Sequence, residues 1–147
     1  MRPNDREQCD GSMTTPPSIL VVDDEPHVLI MVSVMLRRAG FEPIAAESGE
    51  MAIAMLEHMA RTSRLPSAIL SDIQMPGMSG TALAERLYAE PQTAGIPVIV
   101  VTGGADTDQR LTPNVRGLVR KPFGRRQLLD ELRVALGEPR STVREAA

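Results

Sequence analysis

The sequence is poor in aromatic residues: no Trp, one Tyr, two Phe, 2% of 147 residues. A core must then be filled by Val, Ile, Leu, Ala and Met, and a flavin would find few rings to sandwich it. The single cysteine, Cys9, excludes an internal disulfide and any C-x-x-C motif, and reads as an incidental exposed thiol. No apolar run approaches the ~18 residues of a membrane span. The N-terminus lacks the apolar segment of a signal peptide, so the expected location is the cytoplasm. Neither charge sign dominates: 16 basic and 19 acidic residues give a net charge of -3. That balance leaves no electrostatic footprint for nucleic acid, and too little chain lies outside the core domain for a DNA-binding output domain. His27 and His58 have no metal-ligand partner at suitable spacing and read as surface or helix-end residues.

What is present suits one α/β domain with short extensions. Hydrophobic residues make up 42%, an ordinary globular share, and the nine methionines read as core filling. Residues 1–17, with Pro3, Gly11, Pro16 and Pro17, read as a disordered leader; 18–137 as the folded domain; 138–147 as a flexible tail. Strands are expected at 18–22 (SILVV), 41–46 (FEPIAA), 67–71 (SAILS), 96–102 (IPVIVVT) and 117–121 (GLVRK). Pro43 argues for an edge position, since it cannot donate a ladder hydrogen bond. Helices are expected from Pro26 to Gly40, over 48–63 with Ser48 as N-cap, over 79–90, and over 124–137. Strands alternating with helices imply β-α-β units around a parallel sheet with helices on both faces. In such sheets the ligand site lies beyond the carboxyl ends of the strands.

Those ends carry the chemistry. Strand one ends in Asp23, Asp24 and Glu25; strand three in Asp72, followed by the turn residues Pro76, Gly77 and Gly80; strand four in Thr102, Gly103 and Gly104; strand five in Lys121 and Pro122. Crowded carboxylates repel, so either their pKa values rise or a cation enters. Oxygen ligands without His or Cys favour Mg²⁺. A lysine and a threonine hydroxyl can each meet a phosphoryl oxygen. Asp72, alone at the end of the central strand, is the best nucleophile for an aspartyl-phosphate, while the adjacent Asp23 and Asp24 suit the metal.

Four segments, "ILVVDDE", "ILSDIQMPGMSG", "IPVIVVTG" and "KPF", occur in the order and near the spacing of the receiver domain of two-component response regulators, which the chain resembles over roughly residues 18–136. The resemblance implies a flavodoxin-like, doubly wound, five-stranded parallel sheet in the order 2-1-3-4-5. It implies phosphorylation of Asp72 by a histidine kinase or phosphotransfer protein. Mg²⁺ would be held by Asp24, Asp72 and the Gln74 backbone carbonyl, with Asp23 acting mainly through water. Thr102 and Lys121 would follow the phosphoryl group, and Lys121-Pro122 would be a cis peptide. It further implies a signalling domain, not an enzyme on outside substrates, with only self-directed phosphoryl transfer and autodephosphorylation. Output would run through an unidentified downstream protein or a homodimer.

The sequence departs from the family at three places. Leu118 stands where relatives often carry the Tyr or Phe of the switch. The stretch from Gly103 to Arg116 is short and rich in Gly and Pro, so the helix expected there is short or displaced. Ser79 replaces a frequent Asp and can cap a helix equally well. Three other readings remain open: a pseudo-receiver that binds partners without phosphorylation, a receiver from a hybrid histidine kinase, and an aspartyl-phosphate phosphatase. The last is disfavoured by Gln74, which sits two residues after Asp72 and cannot donate a proton as an acid would.

Overall fold

A computed structural model describes residues 15–103 and 111–138. Among the described residues the elements are, in order, β1 (Ser18–Val22), α1 (Pro26–Arg38), β2 (Glu42–Ala46), α2 (Gly49–Arg61), β3 (Ala68–Asp72), α3 (Gly80–Tyr88), β4 (Val98–Thr102), β5 (Val115–Arg120) and α4 (Arg125–Ala135). The five strands are parallel and lie in the order β2-β1-β3-β4-β5, the doubly wound sheet expected from the sequence. β2 is an edge strand, which is where Pro43 can sit without breaking a ladder.

Side-chain alternation splits the interior into two cores. Leu20, Val22, Ile69, Val98 and Val100 pack under α2 and α3 with Leu56, Leu83 and Leu87. Ile19, Val21, Leu70, Ile99, Val101 and Val119 pack under α1 and α4 with Leu29, Leu36, Leu128 and Leu132. The central strands β3 and β4 are buried at every residue, through their apolar runs and the polar residues that end them, Ser71, Asp72 and Thr102.

The helix starts follow local chemistry. Pro26 opens α1, and the Ser48 and Ser79 hydroxyls accept from the N–H groups of Met51 (3.0 Å) and Ala82 (3.1 Å) to cap α2 and α3. After α1, Gly40 turns the chain at φ 94, a backbone conformation that disfavours side chains.

Several boundaries differ from the sequence reading. The helices are shorter: Ser48, Ser79 and Gly124 are N-caps and not helical residues, and α1 to α4 end at Arg38, Arg61, Tyr88 and Ala135. β5 begins at Val115, two residues early, and a register shift opposite Val98 and Ile99 accommodates Arg116. Lys121 lies just beyond that strand. Of the leader and tail, only 15–17 and Glu138 fall within the described residues; the Pro17 carbonyl accepts from the N–H of Glu42 (2.9 Å), tying that end to β2. Cys9, Gly104 and most of the short stretch after β4 lie outside the described residues. Its described flanks, Gly103 and Leu111–Asn114, are not helical. Among the described residues no helix is long and apolar enough to cross a membrane.

Candidate functional site

From β1, second in the sheet, the chain steps out to the edge at β2, then returns across β1 to build the other side through β3, β4 and β5. β1 and β3 therefore flank the point where the winding reverses, and a crevice opens beyond their carboxyl ends. Backbone pairing runs one residue past three strands there. The N–H of Asp23 donates to Ala46 O (3.1 Å), that of Ile73 to Val101 O (2.8 Å) and that of Lys121 to Thr102 O (2.7 Å). The residues that carry or adjoin the polar side chains are thus held by the sheet.

The two buried aspartates share a local device. Asp23 Oδ1 accepts from the N–H of Glu25 (2.9 Å), and Asp72 Oδ1 accepts from the N–H of Gln74 (3.2 Å). Each is a side chain closing on the backbone two residues ahead, the turn that Asp forms readily. It fixes the carboxyl rotamer and points the second oxygen, Oδ2, towards Lys121. Lys121 Nζ lies 3.2 Å from Asp72 Oδ2 and 3.8 Å from Asp23 Oδ2.

The charges are poorly hydrated. Asp23 is 3% exposed and Asp72 5%. Burial pushes the Asp23 carboxyl above its ordinary range; the Glu25 N–H and the Lys121 charge oppose this, while the negative charges of Asp72 and Asp24 add to it. For Lys121, burial by itself would lower the ammonium, but the hydrogen bond to Asp72 and the charges of Asp72, Asp23 and Glu25 outweigh it and hold the group above its ordinary value.

One carboxylate oxygen from each of Asp23, Asp24 and Asp72 falls within 4.8 Å of the others; Asp24 is exposed and the other two are buried. An all-oxygen set of this size, open to solvent on one side, fits a hard divalent cation that keeps part of its water shell, as Mg²⁺ does. Gln74 is exposed and follows the β3 end, with its N–H turned onto Asp72.

Thr102 closes β4 and is 1% exposed. Val98 and Val100 face α2 and α3, so alternation carries Thr102 to the same side. Leu118, paired with Val100, packs against that core as well. Asp72 falls two residues after Leu70, on the α1 and α4 side. Thr102 and Leu118 therefore share one face of the sheet, and Asp72 and Asp23 line the other. The Lys121-Pro122 peptide bond is cis.

Two features escape sequence reasoning. The first is the pair of Asp-to-backbone turns; the signal available was an Asp at a strand end with a loop behind it. The second is the apolar rim. Val28, Met31, Pro122 and Phe123 line a shallow pocket with Lys121, and Ile30 (66% exposed), Met31 (42%) and Val34 (39%) continue it along the solvent side of α1. The periodicity of α1 shows a helix with apolar residues on more than one side, but only the packing shows which stripe is left outside.

A family model described as the response regulator receiver domain matches residues 19–133. The phosphate regulon transcriptional regulatory protein PhoB of Pseudomonas aeruginosa is 36% identical over 122 residues, covering 81% of this chain and 51% of that protein. The chain thus spans about half the length of this relative. Among solved structures, the chemotaxis response regulator CheY4 of Vibrio cholerae aligns with a TM-score of 0.69 at 28% identity, covering 82% of this chain and 99% of the other. The signal receiver domain of a signal transduction histidine kinase from Syntrophus aciditrophicus aligns with a TM-score of 0.70 at 26% identity, covering 85% and 94%.

Proposed function

The chain belongs to the response regulator receiver domain family of two-component systems, a family of signalling domains, and from that premise we propose that it accepts a phosphoryl group on Asp72 and signals by protein contact. The observation that carries this reading is the convergence of Asp23, Asp24, Asp72 and Lys121, three acids and one ammonium from distant segments, at one end of the sheet.

In the transfer, an Asp72 carboxylate oxygen attacks the phosphorus of a phosphohistidine on the donor protein. The new O–P bond forms as the P–N bond breaks, and the freed imidazole takes up a proton. Asp72 is ready for in-line attack because both its oxygens are already oriented, one by the Gln74 N–H and one by Lys121. Mg²⁺, held by Asp23, Asp24, Asp72 and the Gln74 carbonyl, would offset the negative charge that builds up around the transferred group. Lys121 would leave the Asp72 oxygen for a phosphoryl oxygen, and Thr102 would donate its hydroxyl to another. With Leu118 in place of a ring, the accompanying repacking on the Thr102 face would be aliphatic. Hydrolysis of the acyl phosphate by water would return the resting state.

The apolar stripe of α1 shares Lys121 with the cleft, so a donor protein presenting an apolar helix there could bring its phosphohistidine to Asp72. Location in the cytoplasm, where such donors display their phosphohistidines, follows from the same reading.

The test is intact mass after incubation with acetyl phosphate and Mg²⁺. One added phosphoryl mass is expected for the wild type, and none for Asp72→Asn or for metal-free samples. Equal labelling of Asp72→Asn would place the acceptor elsewhere. No labelling of any sample would instead favour an interaction module that works without phosphorylation.

A further inference from the structure

Two helices of this domain begin with the same dipeptide, Ser-Gly, and the two glycines face different neighbours. At Gly49, the first residue of α2, an added Cβ would sit 2.9 Å from Met78 Sδ and 3.0 Å from Met78 Cβ and Cγ; the sulfur end can swing aside, while the Cβ moves only with the Met78 backbone. At Gly80, the first residue of α3, an added Cβ would overlap the carbonyl oxygen of Asp72 and sit 2.9 Å from Ile73 Cα and 3.0 Å from Asp72 C. Those are main-chain atoms of the segment that carries the Asp72 carboxylate, and they cannot swing aside. The contact is also bonded in place: the Gly80 N–H donates to Ile73 O (2.9 Å), and the buried Ser71 hydroxyl donates to Asp72 O (3.1 Å).

We propose that Gly80 is a positioning residue for Asp72, its bare Cα letting the first turn of α3 rest on the Asp72 and Ile73 backbone and so fix the direction of the carboxylate. The proposal rests on the reading of Asp72 as phosphoacceptor. Gly80 is not at a positive φ, so conformational freedom is not the reason for a glycine here; close approach is. A methyl at this point must move either the helix or the end of β3. Moving β3 by a fraction of an ångström disturbs Asp72 Oδ1 against the Gln74 N–H and Oδ2 against Lys121 at once.

The experiment compares Gly80→Ala with Gly49→Ala, the matched helix start, and with Gly95→Ala, where an added Cβ meets nothing within 4 Å. Initial rates of phosphoryl incorporation from acetyl phosphate at saturating Mg²⁺ are read by intact mass. The backbone amide signals of Ile73 and Gln74 are read by NMR in metal-free chains. Gly80→Ala is expected to label about 10- to 100-fold more slowly than either control and to displace both amide signals, while circular dichroism shows native helix content. A folded Gly80→Ala that labels within about twofold of Gly95→Ala, with those amides unmoved, overturns the proposal. If Gly80→Ala does not fold, the same readings are made at low temperature with an excluded osmolyte. Failure to regain the fold there would assign Gly80 a purely structural role and would also overturn it. Should the wild type itself take no label, the phosphoacceptor reading fails, and the amide displacement alone decides whether Gly80 sets the end of β3.

Discussion

The middles and the ends of β1 and β3 are built on opposite principles within a few residues of each other. Leu20, Val22, Ile69 and Leu70 are buried apolar side chains with nothing to satisfy. Asp23 and Asp72, at 3% and 5% exposure, are nearly as buried but carry charge. The middles gain stability in proportion to the area removed from water. The ends lose hydration and recover part of it through backbone N–H donors and Lys121. Equal burial therefore marks a fold-forming residue in one case and a chemically loaded one in the other, and the two should respond oppositely to change.

The sharpest contrast comes from truncating the middle. Ile69→Ala leaves a cavity in the core under α2 and α3 and is expected to lower unfolding free energy by about 2–5 kcal/mol in chemical denaturation. The loss should be the same with and without Mg²⁺, because the cluster of Asp23, Asp24 and Asp72 lies outside that core. The ends are next. Mg²⁺ at one hundred times its Kd should stabilise the wild type by about 2.7 kcal/mol, seen as a rise in Tm, and both Asp24→Asn and Asp72→Asn should shrink that rise. A full metal response in either variant would break the comparison.

A smaller effect of opposite sign is expected when Asp23 is neutralised in the absence of metal. Asp23→Asn keeps an oxygen for the Glu25 N–H and removes one of the crowded charges, so the metal-free chain should gain stability. The pH dependence supplies the sign. Asp23 holds its proton more tightly in the folded chain than its ordinary value of 3.8 allows. Stability from this group is therefore fully present below pH 3.8 and is lost as pH rises through the folded value. The difference in denaturation midpoint between Asp23→Asn and wild type should grow in that direction and then level off. A difference that shrinks as pH rises would mean that the Glu25 N–H and Lys121 together outweigh burial. The smallest effect comes from a helix cap: Ser79→Ala removes the hydroxyl that caps α3 and should lower stability by about 0.5–1 kcal/mol.

Much of the fold was legible in the chain because its signals are local. β-branched runs, the proline that opens α1 and the serine caps act on neighbouring residues, so the order of elements could be read directly, and Pro43 even pointed to an edge strand. The boundaries were less legible: the register shift that starts β5 at Val115 arises from pairing with β4, and nothing in VRGLVR announces it. The same holds for the apolar stripe of α1, which becomes visible only when the other side of that helix is packed.

The sequence by itself determined which residues stand at strand ends and what kind of chemistry they offer, since an apolar run that stops at an acid is a property of adjacent residues. Only the tertiary structure decided that Lys121 would meet Asp72 across a separation of 49 residues, that Thr102 would lie on the opposite face of the sheet from Asp72, and that α3 would press on the backbone of Asp72. Those outcomes depend on strand order, register and side-chain alternation together, and each of these is fixed by contacts between segments far apart in the chain.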